Sequence, residues 1–275
     1  MNDFIIHWDL DPVIVWITDG VPLKYYGLFF ISGLFWALGL ERRIYKMEHV
    51  PVERLDQLFI YVVFGIVIGA RLGHCLFYEA EYYLAHPLEM LLPIKKMGDG
   101  YVFIGYQGLA SHGGTLGVLI ALGLFCKNYK MHYLWVLDRI ALVAPIVGAG
   151  IRLGNFMNSE IYGKPTNGNW GVVFERDDLI PRHPTQLYEA LAYLLIFMVL
   201  RYLYTHKGLG KNLGATLGLA LALVFTARFF LEFFKENQVG FEAEMVLNMG
   251  QWLSLPFVVI GLLLFFFGKR LSDRK

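Results

Sequence analysis

The sequence predicts an all-α integral membrane protein with seven transmembrane helices, on three observations. Of 275 residues, 56% are hydrophobic and 17% charged, too apolar for a water-soluble domain of this length. The charged residues fall between long apolar blocks, seven of which approach the roughly 20 residues a helix needs to cross about 30 Å of hydrocarbon. These blocks lack the alternation of a β-barrel strand, and lipid leaves a non-alternating run no option but the helix.

The spans are expected at about 23–41, 57–78, 110–126, 134–153, 184–203, 213–234 and 247–267. Each contains glycine or other small residues, which let membrane helices approach closely. Segments after odd-numbered spans are short and rich in Lys and Arg: Arg42, Arg43, Lys46 and Arg54 after the first, Lys269, Arg270, Arg274 and Lys275 after the seventh. The other side carries fewer cations over longer segments, so the N-terminus is expected outside and the C-terminus in the cytoplasm. Residues 79–109 and 154–183 are expected to form a small outer-face head, and residues 1–21, with Trp8 and Trp16, to lie in the outer interface. The chain reads as one polytopic membrane domain, with no cleavable signal peptide. Cys75 and Cys126 lack metal-ligand spacing and read as packing residues. The formal net charge of +1 says little about partners; the bilayer is one, and no nucleic-acid partner is expected.

The segment RLGNFMNSEIYG (152–163) closes the fourth apolar run with Arg152, Asn155, Asn158 and Glu160. On the expected topology Tyr26, Arg71, His112, Arg228 and Glu232 fall toward the same outer side, as do His183, Gln186 and Glu189. Each alone has an ordinary reading: Tyr26 an interfacial aromatic, Arg71 snorkelling, His112 a core hydrogen bond, Asn155 and Asn158 helix ties, Arg228 and Glu232 an i,i+4 ion pair. Together they weigh differently, because a charge at bilayer depth costs about 2.5–3.5 kcal/mol and marks function by default. Three arginines with His and Asn suit an anion such as a phosphate held by guanidinium forks. Gly113, Gly114, Gly154 and Gly163 would permit close backbone approach, and Gly163 a turn with positive φ. Asp138 and Arg139, near the cytoplasmic end of span four, read as structural.

RLGNFMNSEIYG also resembles the signature of the prolipoprotein diacylglyceryl transferase family. So do DPVIVWITDGVPLKYYGL (11–28), GARLGHCLFY (69–78), SHGGTLGV (111–118), RHPTQLYEA (182–190) and ARFFLEFFKE (227–236), in the family's order. The resemblance implies transfer of the diacylglyceryl group of phosphatidylglycerol to the lipobox cysteine thiol of preprolipoproteins. A thioether forms and glycerol phosphate is released, the first step of lipoprotein maturation. It implies a bacterial cytoplasmic (inner) membrane enzyme with its site toward the outer leaflet, needing neither cofactor nor metal. By position, Arg152 and Arg228 would hold the lipid phosphate and act in catalysis with His112 and Tyr26. Asn155, Asn158, Glu160, Gly163, Arg71 and Glu232 would contribute to binding phosphatidylglycerol. His112 suits a general base because its ordinary pKa is near neutrality; Tyr26 would either bind the headgroup or steer the thiol. The chain departs from the pattern at Ile151 (usually Gly), Lys24-Tyr25 (usually Arg-Trp) and Val224 (Tyr in well-known members). A mechanism relying on that Tyr does not carry over.

The alternative from another class is a lipid or anion transporter using the same arginines, which would need polar groups along a through-path. An intramembrane serine protease is disfavoured: Ser111 and His112 are adjacent on a helix and point apart.

Overall fold

The computed structural model describes residues 4–18, 21–92, 94–98, 100–103, 108, 110–236 and 245–272. Arg274 and Lys275, and parts of the 1–21 and 79–109 segments, lie outside them. In chain order the elements are β1 (Phe4–Trp8), β2 (Val13–Thr18), β3 (Val21–Lys24), α1 (Tyr25–Met47), α2 (Glu53–Phe77), α3 (Ala80–Ala85), α4 (Pro87–Leu91), β4 (Ile94–Met97), β5 (Gly100–Phe103), α5 (Ser111–Tyr129), α6 (Tyr133–Met157), β6 (Trp170–Phe174), β7 (Pro181–Arg182), α7 (Thr185–Lys207), α8 (Ala215–Leu231) and α9 (Met249–Ser272).

The fold is mostly helical. Among the described residues, five helices are long and apolar enough to cross a membrane: α2, α6, α7, α8 with its 3-10 extension to Phe234, and α9. The other two expected spans also fall on helices, α1 and α5, of 23 and 19 residues. Several helices run past their apolar runs. The amphipathic turn Glu41–Met47 continues α1, since a helix satisfies its backbone in water as well as in lipid.

The chain divides into two compact units, residues 1–44 with 137–275 and residues 45–136. In the first, β1 pairs in parallel with β6, and β6 antiparallel with β7, giving a three-stranded sheet absent from the sequence reading. Phe156, Val172 and Phe174 form a small core beneath it, with the Trp8 ring tilted against Phe156 at 4.5 Å between centroids. The N-terminal segment is therefore partly a strand held by β6. The hairpin β2–β3 leaves Val15, Trp16 and Ile17 exposed. Most of the remaining core lies among α6, α7 and α8. Helices α8 and α9 meet through glycine: a Cβ on Gly218 would sit 2.6 Å from Gly261 O.

Asp138 confirms its structural reading. From α6 its carboxylate accepts the N–H groups of Gly214 (2.7 Å) and Leu217 (2.8 Å), two of the orphan donors that begin α8. This is a helix cap supplied by another helix, of a kind that contributes about 1 kcal/mol.

The second unit is built on α2 and α5, antiparallel and in close contact. Gly65, Gly69 and Gly73 face Gly113, Gly117 and Ala121, so tightly that a Cβ on Gly65 would sit 2.7 Å from Ala121 Cβ and one on Gly73 2.7 Å from Gly113 Cα. The close approach expected at Gly113 is thus to a neighbouring helix. Cys75 and Cys126 are buried and free.

Candidate functional site

The described polar residues of the first unit converge where α6 ends. Helix α6 stops at Met157, and Ser159 and Ile161 take positive φ (56° and 59°), turning the chain back over its own last turn. Asn155 Nδ2 and Asn158 Nδ2 both donate to Glu160 Oε1, at 2.7 and 3.2 Å, and Gln186 Nε2 donates to the Glu160 carbonyl at 2.8 Å. Asn155 Oδ1 accepts from Arg152 Nη1 at 3.3 Å. Asn155, Asn158 and Glu160 therefore form one bonded set that orients Arg152.

Tyr26 joins this set by packing. A Cβ on Gly154 would sit 2.7 Å from Tyr26 Cδ2 and 3.1 Å from its Cα, so only glycine lets the start of α1 lie against α6 here. Gly163 has the same kind of need: a Cβ would meet His183 Cβ and Thr185 Cγ2, both at 2.7 Å. Its φ is not positive; the left-handed positions are Ser159 and Ile161, which corrects the turn expected at Gly163.

The charges are arranged around Glu189, which is fully buried. Its Oε2 lies 2.8 Å from Arg152 Nε but off the direction of a hydrogen bond, so the contact is ionic. Its Oε1 accepts from Lys235 Nζ at 2.8 Å, and Lys235 lies 3.7 Å from Glu232. Arg152, Glu189, Lys235 and Glu232 thus alternate in sign, which offsets the desolvation of each. The sequence places Glu189 among the outer polar residues without a role for it. The only sequence signal for its pairing with Lys235 is a Glu and a Lys in the two polar segments that flank apolar runs, 46 residues apart.

The ordinary reading of Arg228, an i,i+4 ion pair, does not hold. Arg228 makes no ion pair with Glu232; among the described residues it has no hydrogen bond or salt bridge. Glu232 instead packs its carboxylate against Gly250, at the start of α9, where a Cβ would sit 2.6 Å from Glu232 Cδ. Arg228 is half-buried, and the charges of Arg152 and Arg228 both bear on Tyr193 of α7. An apolar groove continues from this point, with a cavity volume of ≈ 370 Å³, bounded by α6, α7 and α8. Gly148 and Val224, one turn before Arg152 and Arg228, line it, as does Tyr193. Val224 is thus a wall of an apolar groove.

In the second unit His112 occupies the first turn of α5, exposed, with no hydrogen bond or ion pair to a described residue. Arg71 is buried, and the expected phosphate role meets a physical objection: Nη2 donates to Glu89 O (2.6 Å) and Nε to Met90 O (3.2 Å), and the guanidinium lies 4.7 Å over the Tyr83 ring. These contacts tie α2 to the end of α4. Glu89 is fixed there by Tyr82 Oη and the Lys96 amide, which hold its carboxyl below the usual range, and the carboxylate in turn pushes Tyr82 up to about 12.

Residues 12–267 match the family model described as prolipoprotein diacylglyceryl transferase. A phosphatidylglycerol–prolipoprotein diacylglyceryl transferase from Bacteroides fragilis is 50% identical over 276 residues, 99% of each chain. One from Tolumonas auensis is 46% identical over 94% of this chain and 96% of the relative, and one from Porphyromonas gingivalis 40% identical over 94% and 92%. The chain belongs to the prolipoprotein diacylglyceryl transferase family.

Proposed function

We propose that this protein transfers the diacylglyceryl group of phosphatidylglycerol to the cysteine thiol of a preprolipoprotein lipobox, as the first step of lipoprotein maturation. The family membership and the printed names of its relatives support the reaction. The observation that carries the site is Arg228, a half-buried guanidinium without a hydrogen bond or ion pair among the described residues, sharing Tyr193 with Arg152 above an apolar groove. A half-buried cation without a counter-charge is partly desolvated at a cost, and a lipid phosphate would supply its partner. The groove suits the acyl chains of the same molecule. Its apolar lining does not suit the polar through-path of an anion transporter.

In this reading Arg152 and Arg228 hold the phosphodiester, with Asn155, Asn158, Glu160, Gly163, Glu189, Lys235 and Glu232 fixing their geometry and charge. The thiol sulfur attacks the glycerol carbon bearing the phosphate; a C–S bond forms, the C–O bond breaks, and its electron pair leaves on glycerol phosphate. The arginines neutralise the charge growing on that leaving group. His112 accepts the thiol proton, since the thiolate is the nucleophile. Tyr26 binds the headgroup or steers the thiol. Arg71 is assigned to holding α4 in place of a phosphate contact. The chain acts as one polytopic domain of seven spans in the bacterial inner membrane, N-terminus outside and C-terminus in the cytoplasm, working at the outer leaflet; the Lys and Arg distribution supports this orientation.

The test is transfer itself. The purified protein is mixed with phosphatidylglycerol and a synthetic lipobox peptide carrying one Cys, and the peptide is weighed. A diacylglyceryl mass gain, absent with Arg152→Ala, is the expected result. No gain from folded, lipid-bound protein overturns the reading in favour of lipid transport.

A further inference from the structure

The second unit carries an apolar groove with a cavity volume of ≈ 560 Å³, larger than the one beside the arginines. Its walls are two ridges: Ile60, Phe64 and Ile68 on α2, and Leu116, Ile120 and Leu124 on α5, each repeating every four residues. All six are more than half exposed. Its floor is mostly backbone, because the two helices touch through Gly65, Gly69, Gly73, Gly113 and Gly117. The i±4 ridges of a third helix fit a valley of this shape. From Ile60 to Leu76 the groove runs about 24 Å along α2. The apolar core of a secretory signal peptide, 7–15 residues, is about 10–22 Å long as a helix.

One end of the groove is lined by Gly113, and the residue before it is His112. In a prolipoprotein the cysteine follows the apolar core, so a peptide lying in this valley with its cysteine end toward Gly113 brings the thiol to the exposed imidazole. We infer that the valley between α2 and α5 seats the apolar core of the prolipoprotein signal peptide. The inference rests on the transferase reading and adds where that substrate docks.

The experiment uses the full chain in phosphatidylglycerol nanodiscs, with a photocrosslinking phenylalanine analogue placed at Leu116, at Ile120 or, as a control, at Ile66 on the other side of α2. A synthetic signal peptide with a lipobox Cys is added, and crosslinks and peptide modification are read from the same samples. The expected result is a peptide crosslink at Leu116 and Ile120, competed by unlabelled peptide, and none at Ile66. Crosslinking to lipid alone, to a second copy of the chain, or equally at Ile66 overturns the inference. In parallel, Ile120→Trp, which fills the valley, is expected to raise the KM for peptide about tenfold while leaving the KM for phosphatidylglycerol unchanged. An equal change in both, or in neither, also overturns it. Modification without groove crosslinks defeats this inference and leaves the transferase reading standing. Crosslinks without modification support the groove and defeat the transferase reading.

Discussion

The two units face the same solvent problem with opposite materials. Where α6 meets α7 and α8, buried charges are held by partners: Arg152 by Glu189 and Asn155, Glu189 by Lys235, Lys235 by Glu232. Where α2 meets α5 there is almost no side chain at all, and backbone lies on backbone through glycine. The first arrangement is specific to charge and leaves Arg228 available to an anion. The second is specific to shape and leaves a smooth apolar valley. Charge networks tolerate small changes in volume but not in sign; glycine contacts tolerate neither a methyl nor the rotation that would relieve it.

Substitutions separate these behaviours. The largest effect on activity is expected from Arg228→Gln, which keeps the volume and a hydrogen-bond donor but removes the charge; transfer should fall about 10²-fold or more with the melting temperature little changed. Glu189→Gln comes next. It leaves Lys235 with only its longer contact to Glu232 and Arg152 without its ionic contact, so transfer and stability should fall together, with about 3 kcal/mol of destabilisation in unfolding experiments. In the glycine pair the pattern inverts. Gly69→Ala should cost about 1–3 kcal/mol by overpacking against Gly113 and Gly117, while Gly27→Ala, which meets open space, should cost nothing measurable.

The smallest effect lies in the sheet of the first unit. Arg182 donates to Asp178 at 2.9 Å through Nε and holds the Asp178 carboxyl below its ordinary value. A depressed carboxylate pKa stabilises the fold at pH above the ordinary carboxylate range and loses that contribution as pH falls through the lowered value. Stability should therefore decline below about pH 4 in wild type, and Asp178→Asn should flatten that part of the profile. An unchanged profile would remove Asp178 from the account.

The helices were legible because a 20-residue apolar run has one solution in lipid, and all seven expected segments fall on helices. Their ends were less legible, since turns such as Glu41–Met47 stay helical beyond the apolar run. The pairing of β1 with β6 was not legible: it joins residues 166 apart in sequence, with strands of only five residues each. At the site, residue types marked Arg152, Asn155, Asn158 and Glu160, and the structure bonds these into one set. It did not mark the Glu189–Lys235 pair, because helical spacing orders only neighbours on one helix and this pair joins two segments. Nor did it separate Arg71 from Arg228. Both are arginines near the end of an apolar run, and it is the carbonyls of Glu89 and Met90 and the Tyr83 ring, all distant in sequence, that set the first apart from the second.

The central claim is that Arg152 and Arg228 hold the phosphate of phosphatidylglycerol. Its most direct test is native mass spectrometry of the detergent-solubilised protein with phosphatidylglycerol or with diacylglycerol of the same chains, for wild type and Arg228→Gln. The account predicts that wild type retains phosphatidylglycerol, that the variant loses it, and that diacylglycerol binding is the same in both. Equal retention of phosphatidylglycerol by the two proteins would contradict it.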